Sequence, residues 1–282
     1  MMMLTRISCV VALAFAAVLP AEAQTVKPIK VLVVSGGCCH HYAAQRAILE
    51  AGLKARIPVE VSHVFYDPKP GEKATRPALP IYGNPHYADG YDVVLHNECA
   101  ADEDSAEALD AVLAPHRLGM PGVNLHCAMH SYRSGTWKQP VKAGDANARW
   151  FEYTGIQSTG HGPQSPIHLV VDPAGHPVAQ GFQPFVTANE ELYNNLTQFN
   201  VTPVLTGTQP EAQAEAERAL KFNVAWTHRY GPKQARVFSI TLAHNEAGMA
   251  DPRYLDLVAR GLLWATGHLR DDGAAEAGYL LR

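Results

Sequence analysis

Near the amino end, Ile29-Lys30-Val31-Leu32-Val33-Val34-Ser35 runs straight into Gly36-Gly37. An apolar, β-branched run with no polar alternation, cut off by glycine, suits a strand covered on both faces, and such strands belong to parallel sheets flanked by helices. The chain continues in matching order. Ala43 to Ala55 spaces Ala44, Ala47, Ile48 and Leu53 as a helix, Val59 to Phe65 is a second strand and Tyr91 to His96 a third. Ser105 to Leu113 is a second helix, and Gly122 to Leu125 a short fourth strand. This β-α-β-β-α-β order predicts crossover units and an α/β fold with a mostly parallel sheet. Further on, Pro166 to Val171 and Thr202 to Leu205 are strand candidates, and Phe222 to Thr227 joins Arg236 to Leu242 through Tyr230-Gly231-Pro232. Pro252 to Thr266 is a helix with proline at its start, an apolar stripe of Leu255, Val258, Ala259, Leu262 and Leu263, and Gly267 as its stop. Between the second and third strands, Pro68, Pro70, Pro77, Pro80 and Pro85 mark Asp67 to Asp89 as a long surface excursion.

With 47% hydrophobic and 18% charged residues among 282, the chain is excluded from the disordered class and has material for a large core. Its 23 Lys+Arg against 27 Asp+Glu give a net charge of −4, so the basic excess of a nucleic-acid binder is missing. Residues 1–23 read as a secretory signal peptide: Arg6 precedes the apolar stretch Val10 to Leu19, and Ala21-Glu22-Ala23 supplies an A-x-A cleavage site. The apolar stretch is too short to span a bilayer comfortably. The expectation is an exported protein, periplasmic or extracellular, without a membrane span after cleavage. One domain is expected over residues 24–268 and a flexible tail over 269–282. Cys38, Cys39, Cys99 and Cys127 survive cleavage, and an oxidising compartment permits disulfides among them in any of three connectivities.

The reactive residues follow the strands. Cys38, Cys39, His40 and His41 come after the first; His96 and Cys99 close the third; His126, Cys127 and His130 follow the fourth; His244 and Glu246 follow the strand ending at Leu242. In an open parallel sheet these loops emerge on one edge, where ligands bind outside the carboxyl ends of the strands. Neutral imidazole is the commonest side-chain metal ligand, so His40, His96, His126 and His244 form a candidate set for a divalent metal such as zinc, with Glu191 as a carboxylate partner. The competing reading holds no metal, with the histidines bonded to each other's loops.

Four segments carry a family resemblance: Gly36-Gly37-Cys38-Cys39-His40-His41-Tyr42; Asn124 through Arg133; Glu190-Glu191-Leu192-Tyr193; and Ala225-Trp226-Thr227 through His244. Together they resemble the ThuA-like (trehalose utilisation) family across roughly Lys30 to His268. The resemblance implies a flavodoxin-like three-layer sandwich similar to class I glutamine amidotransferases, and a role in carbohydrate utilisation. The sequence departs from the related subgroup at His41, where Asp is common. Those amidotransferases place a cysteine on a sharp strand-to-helix elbow flanked by small residues. With Cys127 at the elbow the flanking positions would be Leu125 and Met129; with His126 there they are Asn124 and Ala128, which fit better.

The leading expectation is therefore an enzyme acting on a sugar or oxidised sugar derivative. His126, His244 and Glu191 carry the chemistry, and Arg133, Tyr193, His130 and His161 contact a small-molecule carbohydrate. Two alternatives stay open: a non-catalytic carbohydrate-binding module, and a Cys127-His244-Glu246 amidotransferase-like hydrolase. Assembly into a homo-oligomer is also left open. No P-loop, dinucleotide fingerprint or Gly-x-Ser-x-Gly elbow is present.

Overall fold

The apolar run at Ile29 becomes an interior strand, paired on both sides, in the computed structural model, which describes residues 26–69, 71–212 and 220–279. In chain order the elements are β1 (Ile29–Gly37), α1 (Tyr42–Lys54), β2 (Val59–Tyr66), β3 (Val93–Cys99), α2 (Ala106–Arg117), β4 (Gly122–Leu125), α3 (Arg149–Thr154) and β5 (Ile156–Gln157). They continue with β6 (His161–Val171), β7 (Phe185–Tyr193), β8 (Thr197–Gln198), β9 (Thr202–Thr208), β10 (Phe222–Tyr230), β11 (Ala235–Ile240), α4 (Glu246–Met249) and α5 (Pro252–Thr266). The signal peptide expected over residues 1–23 lies outside the described residues.

Nine strands form one sheet in the order β2-β1-β3-β4-β11-β10-β9-β6-β7. The first five run parallel, reproducing the 2-1-3-4-5 order of flavodoxin-like folds. From β11 onward each neighbour is antiparallel, beginning with the expected β10–β11 hairpin. The α/β architecture is thus the one read from the sequence, with an antiparallel extension on one side. β5 and β8 pair separately.

Alternation along β1 divides the core. Ile29, Val31 and Val33 pack with Leu49 and Leu53 of α1 and Val258 and Leu262 of α5, whereas Val34 packs with Val94 and with Val112 and Leu113 of α2. Helix α5 starts at Asp251, whose carboxylate accepts the Arg253 N–H, and stops at Gly267 in the left-handed conformation, as its proline and glycine signals require. A Cβ at Gly261 would collide with the Phe238 ring, so glycine lets α5 lie tight on β11.

Two expectations are corrected here. The proline-rich excursion is not all surface: Leu79, Ile81 and Ala88 are buried in the second core, and the Tyr87 hydroxyl donates to the Val112 carbonyl at 2.9 Å. Proline limits the backbone without preventing neighbouring side chains from packing. The loose tail is likewise replaced through residue 279 by a return of the chain. Leu269 bridges to Ala275, Tyr279 stacks on His268 with centroids 3.9 Å apart, and its hydroxyl donates to the Lys27 carbonyl. Among the described residues no helix is long and apolar enough to cross a membrane.

Candidate active site

Strand β4 ends at Leu125, and the next residue, His126, turns the chain with φ +41° into a short 3₁₀ helix, His126–His130. A non-glycine residue in this region costs about 1–3 kcal/mol and persists only where its surroundings hold it. The His126 Nδ1–H donates to the Thr241 carbonyl at 2.6 Å, and the Trp150 indole holds the turn by donating to the Ala128 carbonyl at 2.8 Å. The elbow residue is therefore His126, as its small flanking positions suggest.

His40 arrives from β1. Gly36 and Gly37 have φ of +120° and +103°, and a Cβ on either would strike the carbonyl of Tyr66 or of Cys99. These glycines lower the chain onto its neighbours and present His40, whose Nδ1–H donates to the His244 carbonyl at 2.9 Å. His244 comes from the loop after β11, which turns at Ala243 with φ +77°. The buried Glu190 carboxylate fixes this loop by accepting the Ala243 and His244 N–H groups at 3.0 and 3.1 Å. Burial, then the neighbouring Glu191 carboxylate, raises the Glu190 pKa to about 7.

Three imidazoles consequently meet. Ring centroids are 4.8 Å apart for His40–His126, 4.9 Å for His40–His244 and 5.4 Å for His126–His244. One nitrogen from each lies within 4.8 Å of the others. Because a carbonyl can only accept, His40 and His126 carry their proton on Nδ1 and keep the Nε2 lone pair. Burial, followed by repulsion from His244, lowers the His40 pKa to about 4; burial and repulsion from His40 push His126 well down. Both rings are neutral near pH 7, the state a metal needs.

Glu191 and Tyr193 enter from β7, whose end curls back over the carboxyl edge of the parallel strands. Glu191 Oε1 is 3.2 Å from His244 Nδ1, and its Oε2 is 3.6 Å from His126 Nε2 and 3.5 Å from His161 Nε2. The Tyr193 hydroxyl donates to His126 Nε2 at 3.3 Å, and His130 lies flat against the Tyr193 ring, 4.1 Å between centroids. Arg133 stands over the Trp137 ring at 4.0 Å. His40, His130, Arg133, His161, Glu191, Tyr193 and His244 all line a cavity of about 260 Å³, together with Cys39, Cys99 and Cys127.

His96 does not belong to this group. Strand β3 runs to Cys99, three residues beyond the expected end, so His96 lies inside the strand and under the α2 layer. Its Nδ1 bonds Glu98 Oε1 at 2.8 Å and its Nε2 meets His116 Nε2 at 3.1 Å. The triad of Cys127, His244 and Glu246 is also absent. Cys127 is disulfide-bonded to Cys99, and Glu246 pairs at the surface with His41 at 2.7 Å, away from His244. Tyr132, beside Arg133 in the chain, points inward and donates to Glu98 at 3.0 Å. Sequence reading passed over Glu190, which secures the His244 loop, and Gln164, whose amide is 2.9 Å from His244 Nε2. Adjacent on β7, Glu190 and Glu191 face opposite ways, and only the tertiary curl gives each its partner.

The family profile for trehalose utilisation, ThuA, matches residues 30–265. The chain belongs to the ThuA family. A protein described as ThuA-like from Parabacteroides merdae is similar in structure, with a TM-score of 0.61 at 18% identity, covering 91% of this chain and 98% of that one. A second, from Bacteroides uniformis, has a TM-score of 0.59 at 16% identity with the same coverage. At such identities the likeness establishes the fold. No curated protein matches the sequence. As a ThuA-family member, the chain keeps the glutamine amidotransferase-like architecture while placing histidine at the elbow.

Proposed function

We propose that this ThuA-family chain is an exported enzyme of carbohydrate utilisation, acting on a sugar or oxidised sugar derivative at a divalent-metal centre held by His40, His126 and His244. The observation that carries the reading is the trio of imidazoles with one nitrogen each within 4.8 Å, two of them oriented by backbone carbonyls through the opposite ring nitrogen. This is how proteins orient metal-ligating histidines. When bound, an ion such as zinc supplies Lewis-acid polarisation of a substrate oxygen.

The remaining groups follow from their positions. Glu191, faced by three imidazoles, takes or returns a proton at Oε2 beside the reacting centre. The Tyr193 hydroxyl orients a substrate oxygen, since its ring face is covered by His130. Arg133 at the rim offers a planar pair of donors to a carboxylate or to vicinal hydroxyls. At about 260 Å³ the cavity is smaller than the roughly 300–1,000 Å³ of sites for drug-sized ligands, so it suits one sugar unit rather than an oligosaccharide. The leader over residues 1–23 supports export.

The test is elemental analysis of protein purified without chelator, a zinc titration of the chelator-treated form followed by thermal melting, and turnover on a panel of sugars and oxidised sugars. Stoichiometric metal with turnover is the expected result. Sub-stoichiometric metal and no shift in Tm overturn the metal centre; sugar binding without turnover on any panel member favours a binding module.

A further inference from the structure

The four cysteines form two disulfides, Cys38–Cys39 and Cys99–Cys127, and neither has a role in the reading above. They touch. Cys38 Sγ lies 3.6 Å from Cys99 Sγ, and the Cys38 N–H donates to the Cys99 carbonyl at 3.2 Å across the β1–β3 junction that Gly37 makes possible. Their exposure differs. Cys38, Cys99 and Cys127 are 6%, 1% and 7% exposed, while Cys39 is open to solvent on the cavity wall.

We propose that this row of sulfurs is a thiol–disulfide exchange relay, through which a low-molecular-weight thiol in solution opens the buried Cys99–Cys127 bond by way of Cys39 and Cys38. The external thiolate attacks Cys39 Sγ, forming a mixed disulfide and breaking the Cys38–Cys39 bond, whose electron pair leaves on Cys38. The Cys38 sulfur, already at van der Waals contact, attacks Cys99 Sγ; the Cys38–Cys99 bond forms and the electron pair leaves on Cys127. A second external thiol attacks the mixed disulfide and releases Cys39. In sum, two external thiols are oxidised to one disulfide, and the protein gains two thiols, Cys39 and Cys127, while retaining one new disulfide, Cys38–Cys99. The adjacent position of the buried pair makes the second step intramolecular, which is what lets it outrun direct attack from solvent. Its product is a free thiol at Cys127, next to His126 on the elbow and on the wall of the same cavity, so the state of the relay alters the surface a ligand meets.

The relay is tested by disulfide mapping, a readout independent of any metal or turnover. Native protein is treated with limiting glutathione, quenched with iodoacetamide and digested with trypsin. Cleavage after Lys30, Arg46, Arg117 and Arg133 puts Cys38 and Cys39 on one peptide and Cys99 and Cys127 on two others. Cys39 and Cys127 should carry the label and Cys38 should be linked to Cys99. In Cys38→Ser, opening of Cys99–Cys127 should slow by roughly tenfold or more, because the intramolecular attacker is gone. In Cys39→Ser, purified without reductant, the Cys38–Cys99 bond and a free Cys127 should form unaided. Labelling of Cys38 and Cys39 with Cys99–Cys127 intact, equal rates in wild type and Cys38→Ser, or four free thiols in protein isolated under oxidising conditions would each overturn the relay.

Discussion

His96 with His116 under the α2 face of the sheet, and His40 with His126 and His244 at the carboxyl edge of its parallel strands, are two histidine clusters, and the comparison shows why residue type alone does not mark a site. In the first cluster every ring nitrogen has a partner inside the protein. His96 bonds Glu98 and His116, and His116 Nδ1 donates to the Met120 carbonyl at 2.9 Å. Tyr153 packs against both rings and Trp150 against His96, and both imidazoles are fully buried. In the second, backbone carbonyls take one nitrogen of His40 and of His126, the Tyr193 hydroxyl and the Gln164 amide reach Nε2 of His126 and of His244, and His40 and His244 line a cavity. The first cluster ties β3 to α2; the second brings one nitrogen from each of three imidazoles within 4.8 Å of the others beside an open cavity, which is what binding chemistry uses.

The contrast can be broken by experiment. The largest effect is expected from His126→Ala: bound zinc falls to background, and turnover drops by about 10²–10⁴-fold. Zinc at a hundredfold its Kd, which should stabilise wild type by about 2.7 kcal/mol, should leave the variant's Tm unmoved. His96→Ala should do the reverse. Removing one partner of a fully buried pair costs about 3–5 kcal/mol, read as a loss in denaturant unfolding, while zinc stoichiometry stays intact. If His96→Ala emptied the metal site, the separation of the two clusters would fail.

A third prediction uses pH. Burial lowers the His228 pKa to about 4 and holds His116 well below its ordinary value. Both are neutral when folded and take up a proton near pH 6.5 when unfolded. Their contribution is therefore complete above pH 6.5 and is lost as pH falls toward 4. For His228 the loss is on the order of 3 kcal/mol. Urea melts across this range should show falling stability, and His228→Gln should flatten the slope; an unchanged slope would mean that His228 does not titrate with unfolding. The smallest effect belongs to His41→Ala. Its pair with Glu246 is exposed, and such pairs contribute about 0.5 kcal/mol or less, so both Tm and zinc content should stay near wild type. A larger change in zinc content would draw His41 into the site.

Several elements were legible because local pattern and final environment agree. The apolar run of β1 is buried on both faces, the stripe on α5 faces the core, and the capping residues end α5 where they stand. His40, His126 and His244 were legible for a related reason, since each lies in the loop that leaves the carboxyl end of a parallel strand. β7 escaped because Phe185-Val186-Thr187-Ala188-Asn189-Glu190-Glu191-Leu192-Tyr193 is apolar only at its ends, and its middle is exposed where it pairs at the sheet edge. His96 was misplaced because a strand three residues longer carries it from the rim into the interior.

Sequence by itself determined the parallel strands and their main helices, the α/β class, the elbow histidine and the family, because these depend on runs of neighbouring residues whose burial and turns are encoded locally. Tertiary structure alone decided which histidines share a cavity, that Glu190 and Glu191 divide between holding a loop and facing the centre, and that Cys38 meets Cys99. Those pairings are set by sheet curl and strand ends, which join residues more than sixty positions apart by distances of a few ångströms. No local pattern records such a distance.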